Sequence, residues 1–284
     1  MSHAQPIGVF DSGIGGMTVV KELFDVVPNE RIVYFGDTAR LPYGSKSVET
    51  VQRFAREDTE LLVAQDVKMI VVACNTVSAT AMREVESAAH GKPVIGMIEP
   101  AAKEAVRVTT SGRIGIIGTE ATVASGAYER ALASEAVLQK RAIQTFSQAC
   151  PLFVPFAEEG WTDHEATRLV AEEYLSGLKQ HGVDTLILGC THYPVLHQTI
   201  QSVMGAGVKL INSGAVAARE VRKLLASDAT PNQTGQHLDH LFLVSDVPRK
   251  FQRMGEQFLG RKLPEARQVV FKESWVIHRE AIAV

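Results

Sequence analysis

Val67-Lys68-Met69-Ile70-Val71-Val72-Ala73-Cys74-Asn75-Thr76 and Val183-Asp184-Thr185-Leu186-Ile187-Leu188-Gly189-Cys190-Thr191-His192 share one design. Each is a short apolar run, rich in Val, Ile and Leu, that ends on a cysteine followed by polar residues. Such a run reads as a strand buried on both faces, the kind found in a parallel sheet covered by crossover helices. Comparable strands are expected at 7–10, 32–35, 69–73, 94–97, 114–117, 185–189, 208–211 and 241–244. Stretches of helical period lie between most of them. Met17, Val20, Leu23, Phe24 and Val27 mark one stripe; Val48, Val51, Phe54, Leu61 and Leu62 mark a second, with Ser47 as its N-cap. A third helix is expected from the capping-box spacing Thr162-x-x-Glu165 to about His181. The fold class is therefore α/β with mainly parallel sheets.

A second pair of segments repeats in the same order. Ile7-Gly8-Val9-Phe10-Asp11-Ser12 is loosely matched by Ile114-Gly115-Ile116-Ile117-Gly118-Thr119. Two similar α/β domains are the economical reading, each with a polar strand end after its first strand and a cysteine at a later one. The competing explanation is that buried strands resemble one another whatever their ancestry.

Composition narrows the function. With 29 Lys+Arg against 32 Asp+Glu the net charge is -3, and no cluster of basic residues interrupts the chain. This balance does not supply the cationic surface that nucleic acid or an anionic membrane requires as a primary partner. No apolar stretch approaches the ~18 residues of a membrane span, and no signal segment is apparent, so the protein is expected to be cytoplasmic. Small-molecule chemistry is left as the leading class. Three cysteines are too few and too far apart for a secreted disulfide framework.

Ligands of open parallel sheets bind beyond the carboxyl ends of the strands. Cys74 and Cys190 both fall there, and a following helix dipole is expected to lower the thiol pKa. A lone cysteine is most simply a small buried hydrophobe, but two in matching strand-end contexts point to chemistry. Cys150, in Ser147-Gln148-Ala149-Cys150-Pro151-Leu152, has no matching context and is read as buried filler.

Several thiol chemistries compete. A metal site is expected to be absent, because no C-x-x-C or H-x-x-x-H pair joins Cys190 and His192. A thiol phosphatase needs an Arg six residues after the nucleophile, and those positions hold Thr80, Phe156 and Leu196. A Cys–His hydrolase leaves the second strand-end thiol unused. Inversion of a stereocentre by proton transfer needs a base on one face of the carbon and an acid on the other, and two like groups serve both directions. The developing carbanion then needs donors already in place. Asn75, Thr76, Thr119, Thr122 and Thr191, with nearby helix amides, are suitable types.

Asp11-Ser12-Gly13-Ile14-Gly15-Gly16 follows the first strand as a dinucleotide fingerprint would, but Thr18 stands at the third glycine position and Asp11 would oppose a pyrophosphate. The alternative is that its small residues allow a close backbone approach while Asp11 acts beside an amine or thiol. Asp37-Thr38-Ala39-Arg40-Leu41-Pro42-Tyr43-Gly44-Ser45 is turn-rich and lies on the same sheet edge; read alone it is an ordinary surface loop.

Taken together, Asp11 to Gly16, Leu41-Pro42-Tyr43-Gly44, Ala73 to Thr76, Cys150-Pro151-Leu152 through Glu158-Glu159-Gly160, and Leu188 to Pro194 resemble the glutamate racemases of the aspartate/glutamate racemase family. The resemblance runs from about residue 7 to about residue 260; the segment after Gly260 resembles nothing usable. It implies cofactor-independent interconversion of L- and D-glutamate, supplying D-glutamate for peptidoglycan. Carried over by resemblance, Cys74 is the acid/base facing the D-enantiomer and Cys190 the one facing the L-enantiomer. Asp11 and His192 are similar to the residues assisting them, and Glu158 to a further carboxylate near the second thiol. Substrate contacts are implied at Asp11, Ser12, Tyr43, Gly44, Asn75, Thr76, Thr191 and His192, to which the donor argument adds Thr119 and Thr122. The resemblance also implies an active site in the cleft between a discontinuous first domain, 1–97 plus 212–284, and a second domain, 98–211. A homo-oligomer, in the simplest case a dimer, is expected. No Lys falls in a motif assignable to pyridoxal phosphate, and no cofactor is expected. Competing readings are an aspartate or hydantoin racemase of the same group and a non-catalytic amino-acid-binding protein.

Overall fold

The computed structural model describes residues 5–227 and 239–270. In chain order the elements are β1 (Ile7–Asp11), α1 (Met17–Val26), β2 (Ile32–Gly36), α2 (Val48–Ala64), β3 (Met69–Val72), α3 (Asn75–Thr80), α4 (Met82–Ala88), β4 (Val94–Ile95) and α5 (Ile98–Val108). They continue as β5 (Arg113–Gly118), α6 (Glu120–Ala124), α7 (Ala127–Leu138), β6 (Gln144–Ala149), α8 (Phe153–Glu158), α9 (Glu165–Gln180), β7 (Thr185–Gly189), α10 (His197–Met204), β8 (Lys209–Asn212), α11 (Ser213–Ser227), β9 (Leu241–Val244), α12 (Pro248–Leu259) and β10 (Arg267–Gln268).

The strands form two sheets, one in the order β10-β9-β2-β1-β3-β4 and one in the order β6-β5-β7-β8. Every described ladder is parallel. Side chains alternate between the two faces of a strand, so an unbroken apolar run feeds two cores at once. In β1, Ile7 and Val9 join one apolar cluster while Phe10 joins another. In β7, Leu186 and Leu188 join the first cluster and Ile187 a third. The first cluster draws residues from both sheets and from α1 and α11 between them, so the two halves share an apolar seam.

In each sheet the chain reverses its direction of growth at the first strand laid down. β2 and β3 flank β1, and β6 and β7 flank β5. Such a reversal splays the loops that leave neighbouring strand ends and opens a crevice there. The loops after β1 and β3 carry Asp11–Gly16 and Cys74; those after β5 and β7 carry Thr119 and Cys190.

Several expectations change in detail. β6 and β10 were not anticipated from sequence. Among the described strands β6 is an edge strand paired with β5 alone, and its residues Gln144-Thr145-Phe146-Ser147-Gln148-Ala149 are at most half-buried, so it carries no Val/Ile run. β6 also gives Cys150 the strand-end position that the sequence reading denied it. Ser47 caps α2 as expected, accepting from Thr50 N at 3.3 Å, but Val48 is exposed and lies outside the buried stripe. The third helix starts later than its capping-box reading: His164 Nδ1 caps α9 at Ala166 N (3.1 Å), and the Thr162 carbonyl accepts from Thr199 Oγ1 instead. The segment after Gly260 contributes β10 to the first sheet, and residues 271–284 lie outside the described part.

Candidate active site

Loops from the two sheets enclose one cavity of about 180 Å³. Its lining includes Ser12, Tyr43, Gly44, Cys74, Asn75 and Thr76 from the first sheet's side, and Thr119, Cys190, Thr191 and His192 from the second. Ten of the thirteen expected site residues are thus brought together. Asp11, Thr122 and Glu158 stand behind the wall. Pro42, Ser45, Glu120, Pro151, Val154 and Pro155 also line the cavity. Sequence reasoning missed them as individuals, although each adjoins a segment it singled out.

Cys74 ends the loop after β3 and precedes the six-residue α3. The helix terminus does not decide its pKa, because the net shift is upward. Burial pushes the thiol up to about 12, the neighbouring Asp11 charge adds to the rise, and hydrogen bonding from the Val77 amide and Ser12 only moderates it. Asp11 is itself fully buried at the end of β1, with Oδ2 accepting from Gly13 N (3.1 Å). Burial raises its pKa against the opposing pull of His192 and of the Gly16, Gly13 and Ser12 amides.

Cys190 faces a different set of partners. Its Sγ lies 3.8 Å from His192 Nδ1, and His192 Nε2 lies 3.2 Å from Glu158 Oε1. Burial disfavours the imidazolium, yet the contacts with Cys190 and Glu158 outweigh it and raise the His192 pKa to about 10. A thiol, an imidazole and a carboxylate therefore stand in series on this side. Cys150 is buried behind the site, its Sγ on the Gln148 carbonyl, and does not line the cavity. Among the described residues, no group of three or more His, Cys, Asp or Glu side chains is placed to hold a metal ion.

Donors span the cleft. Thr76 Oγ1 is 3.0 Å from Thr119 Oγ1, which is 2.9 Å from Thr122 Oγ1. Asn75 accepts from the Tyr128 hydroxyl at 2.6 Å. Thr18 Oγ1 donates to the Thr191 carbonyl at 2.8 Å, tying the first helix to the second thiol's loop. Two glycines in the expected motifs make these contacts possible. A Cβ on Gly15 would meet Thr191 Oγ1 at 2.2 Å, and one on Gly44 would meet Thr119 Cβ at 2.7 Å. The glycine-rich segment thus serves the close approach of the two halves.

The fold and site define a two-sheet α/β protein in which a thiol from each sheet faces one small cavity. The chain belongs to the Asp/Glu/Hydantoin racemase family, whose model matches residues 7–221. It is 52% identical over 270 residues to glutamate racemase of Chlorobaculum tepidum, covering 95% of this chain and 97% of that one. The fold is similar to glutamate racemase from Francisella tularensis in complex with D-glutamate, with a TM-score of 0.87, 40% identity, and 94% and 98% of the two chains covered. It is similar also to glutamate racemase from Thermus thermophilus in complex with beta-chloro-D-alanine (TM-score 0.84, 41% identity, 95% and 98% covered).

Proposed function

We propose that this protein interconverts L- and D-glutamate by a two-base proton transfer that needs no cofactor. The observation that carries the reading is the pair of strand-end thiols, Cys74 and Cys190, on one cavity. In the L-to-D direction the Cys190 sulfur removes the α-proton and the Cys74 thiol delivers its proton to the opposite face; the reverse reaction exchanges the roles. A high Cys74 pKa keeps that proton in place at neutral pH until the carbanion forms. His192, backed by Glu158, passes a proton to and from Cys190, and Asp11 does so for Cys74. Ser12, Tyr43, Gly44, Asn75, Thr76, Thr119 and Thr191 surround the substrate with hydroxyl, amide and backbone donors that stabilise its carboxylates and the developing charge, and Thr122 supports the Thr76 and Thr119 hydroxyls from behind.

The cavity is smaller than the ~300–1,000 Å³ typical for drug-sized ligands, which suits a single amino acid. Glutamate, rather than aspartate or a hydantoin, is supported by the names and bound D-glutamate of the relatives above. The reading makes D-glutamate available for peptidoglycan, as the family resemblance implies. The working unit we propose has a discontinuous domain, 1–97 plus 212–284, closing on a second, 98–211. It acts as a homodimer in the cytoplasm, where two catalytic thiols stay reduced. Among the described residues no helix is long and apolar enough to cross a membrane.

The test is incubation of pyridoxal-free protein with L-glutamate in D2O, with L-aspartate in parallel, following optical activity and the α-proton signal by NMR. Decay to a racemate with α-deuterium is the expected result for glutamate. Turnover of aspartate alone moves the protein to another racemase of the group, and exchange with neither leaves the reading of an amino-acid-binding protein.

A further inference from the structure

The segment that reads as a surface loop from sequence is anchored in the interior. Asp37 and Asp58 are both fully buried, and Tyr43 is 1% exposed. The Tyr43 hydroxyl is engaged by Asp37 Oδ2 and, at 3.0 Å, by Asp58 Oδ2, neither of which lines the cavity. Tyr43 therefore presents its ring and backbone to the cavity and spends its hydroxyl behind it. Arg40 joins the same cluster: Nε is 2.6 Å from Asp37 Oδ2, Nη2 is 2.9 Å from Asp58 Oδ1, and Nη1 meets Glu57. The guanidinium also lies 4.1 Å from the Phe54 ring centre, against which Tyr43 packs. From the other side, Ser245 Oγ donates to Asp37 Oδ1 at 2.8 Å.

Hydrogen counting constrains this cluster. A phenol carries one proton, and an ionised carboxylate only accepts. Tyr43 cannot donate to both aspartates, so one contact is satisfied only if a carboxyl donates to the phenol oxygen. Asp37 receives donors at both oxygens, from Ser245 and Arg40, whereas Asp58 receives Arg40 at Oδ1 and, among the described residues, meets only the Tyr43 hydroxyl at Oδ2, which leaves Asp58 Oδ2 to hold the proton. We infer that Asp37, Asp58 and Arg40 are positioning residues, which hold the Tyr43-Gly44-Ser45 wall of the cavity through a proton retained on Asp58 and relayed by the Tyr43 hydroxyl to Asp37. Burial and the Asp37 charge, which together keep the Asp58 carboxyl well above the usual carboxylate range, agree with this arrangement. The consequence reaches the substrate because Gly44 lines the cavity and is packed on Thr119 across the cleft, so a shift of this wall moves a lining contact. What the wall positions rests on the racemase reading; the location of the proton does not.

Two measurements test it separately. Infrared spectroscopy of the full chain reads the carbonyl stretch of a protonated carboxyl; it should be present in the wild type and lost in Asp58→Asn. Racemisation kinetics read the wall. An amide donates to the phenol oxygen as the protonated acid does, so Asp58→Asn should keep KM within about twofold of wild type. Asp58→Ala removes that donor and should raise KM about five- to tenfold with kcat little changed, the loss expected for one hydrogen bond in a positioning network. Absence of a protonated carboxyl in the wild type, or equal KM in the Asn and Ala variants, overturns the inference. If Asp58→Ala fails to fold, the infrared signal and the kinetics of Asp58→Asn still decide. A wild type without racemisation defeats the proposed function, while the infrared result continues to judge the proton.

Discussion

Gly15 and His192 are so close that a methyl group on the first would lie 2.6 Å from Nδ1 of the second, the nitrogen that faces Cys190. Backbone from the first half is thus packed directly on the ring that faces Cys190 in the second. Gly15→Ala has to displace both the ring and the Thr191 side chain, a strain of about 1–3 kcal/mol. The expected outcome is a fall in kcat/KM of tenfold or more with a folded protein, checked by racemisation kinetics beside a thermal melt. Wild-type kinetics in the variant would show that His192 does not need this position.

For the thiols, Cys74→Ser and Cys190→Ser should each lower kcat/KM by about 10²–10⁴-fold, the usual range for loss of a positioned acid or base. Cys150→Ser should keep activity, since its sulfur bonds the Gln148 carbonyl and is absent from the cavity lining. Because the racemisation equilibrium constant is one, each variant must show equal kcat/KM values in the two directions. Equal loss at Cys150 would undo the assignment of the pair.

The Glu158–His192 contact predicts a pH effect of definite sign. With Glu158→Gln the imidazolium loses one of the two partners that overcome burial, so its pKa falls from about 10. The alkaline limb of kcat/KM, which reports the free enzyme, should move to lower pH. Stability follows the same group: its contribution is complete below the ordinary His value of 6.5 and is lost as pH rises through about 10. In the variant the loss still begins at the ordinary His value but is complete at a lower pH and is smaller in total, which urea melts at a series of pH values will register.

A second buried ion pair lies away from the cavity. Lys68 Nζ is 2.6 Å from Glu30 Oε2, and both side chains are buried. Lys68→Met removes the cation and leaves its partner carboxylate in the interior, so stability should fall by about 3–5 kcal/mol. Chemical denaturation is the check; a change below 1 kcal/mol would show that the pair contributes little to stability.

Much of the site could be read from residues because its chemistry clusters at strand ends. The apolar runs before Cys74 and Cys190 mark β3 and β7 directly, since strands covered on both faces leave no polar alternation to confuse with a helix. β6 escaped for the opposite reason, as an edge strand of half-buried polar residues. With it went the strand-end position of Cys150, which lies buried behind the wall and not on the cavity. The loop 37–45 was underestimated because its turn residues say nothing about depth. The partners that bury Asp37 and Tyr43 come from Asp58 on α2 and Ser245 after β9, distant in sequence.

The sequence by itself determined the two thiols, the parallel α/β class and the family, because hydrophobic period and residue type at strand ends are local properties. Only the tertiary structure decided which groups act on one another. The direction of the Cys74 pKa shift is set by burial and by Asp11 across the sheet, against the local helix terminus. His192 is raised by a carboxylate 34 positions away in the chain. Electrostatic and packing effects depend on distance in space, which sheet order and the apposition of the two halves establish.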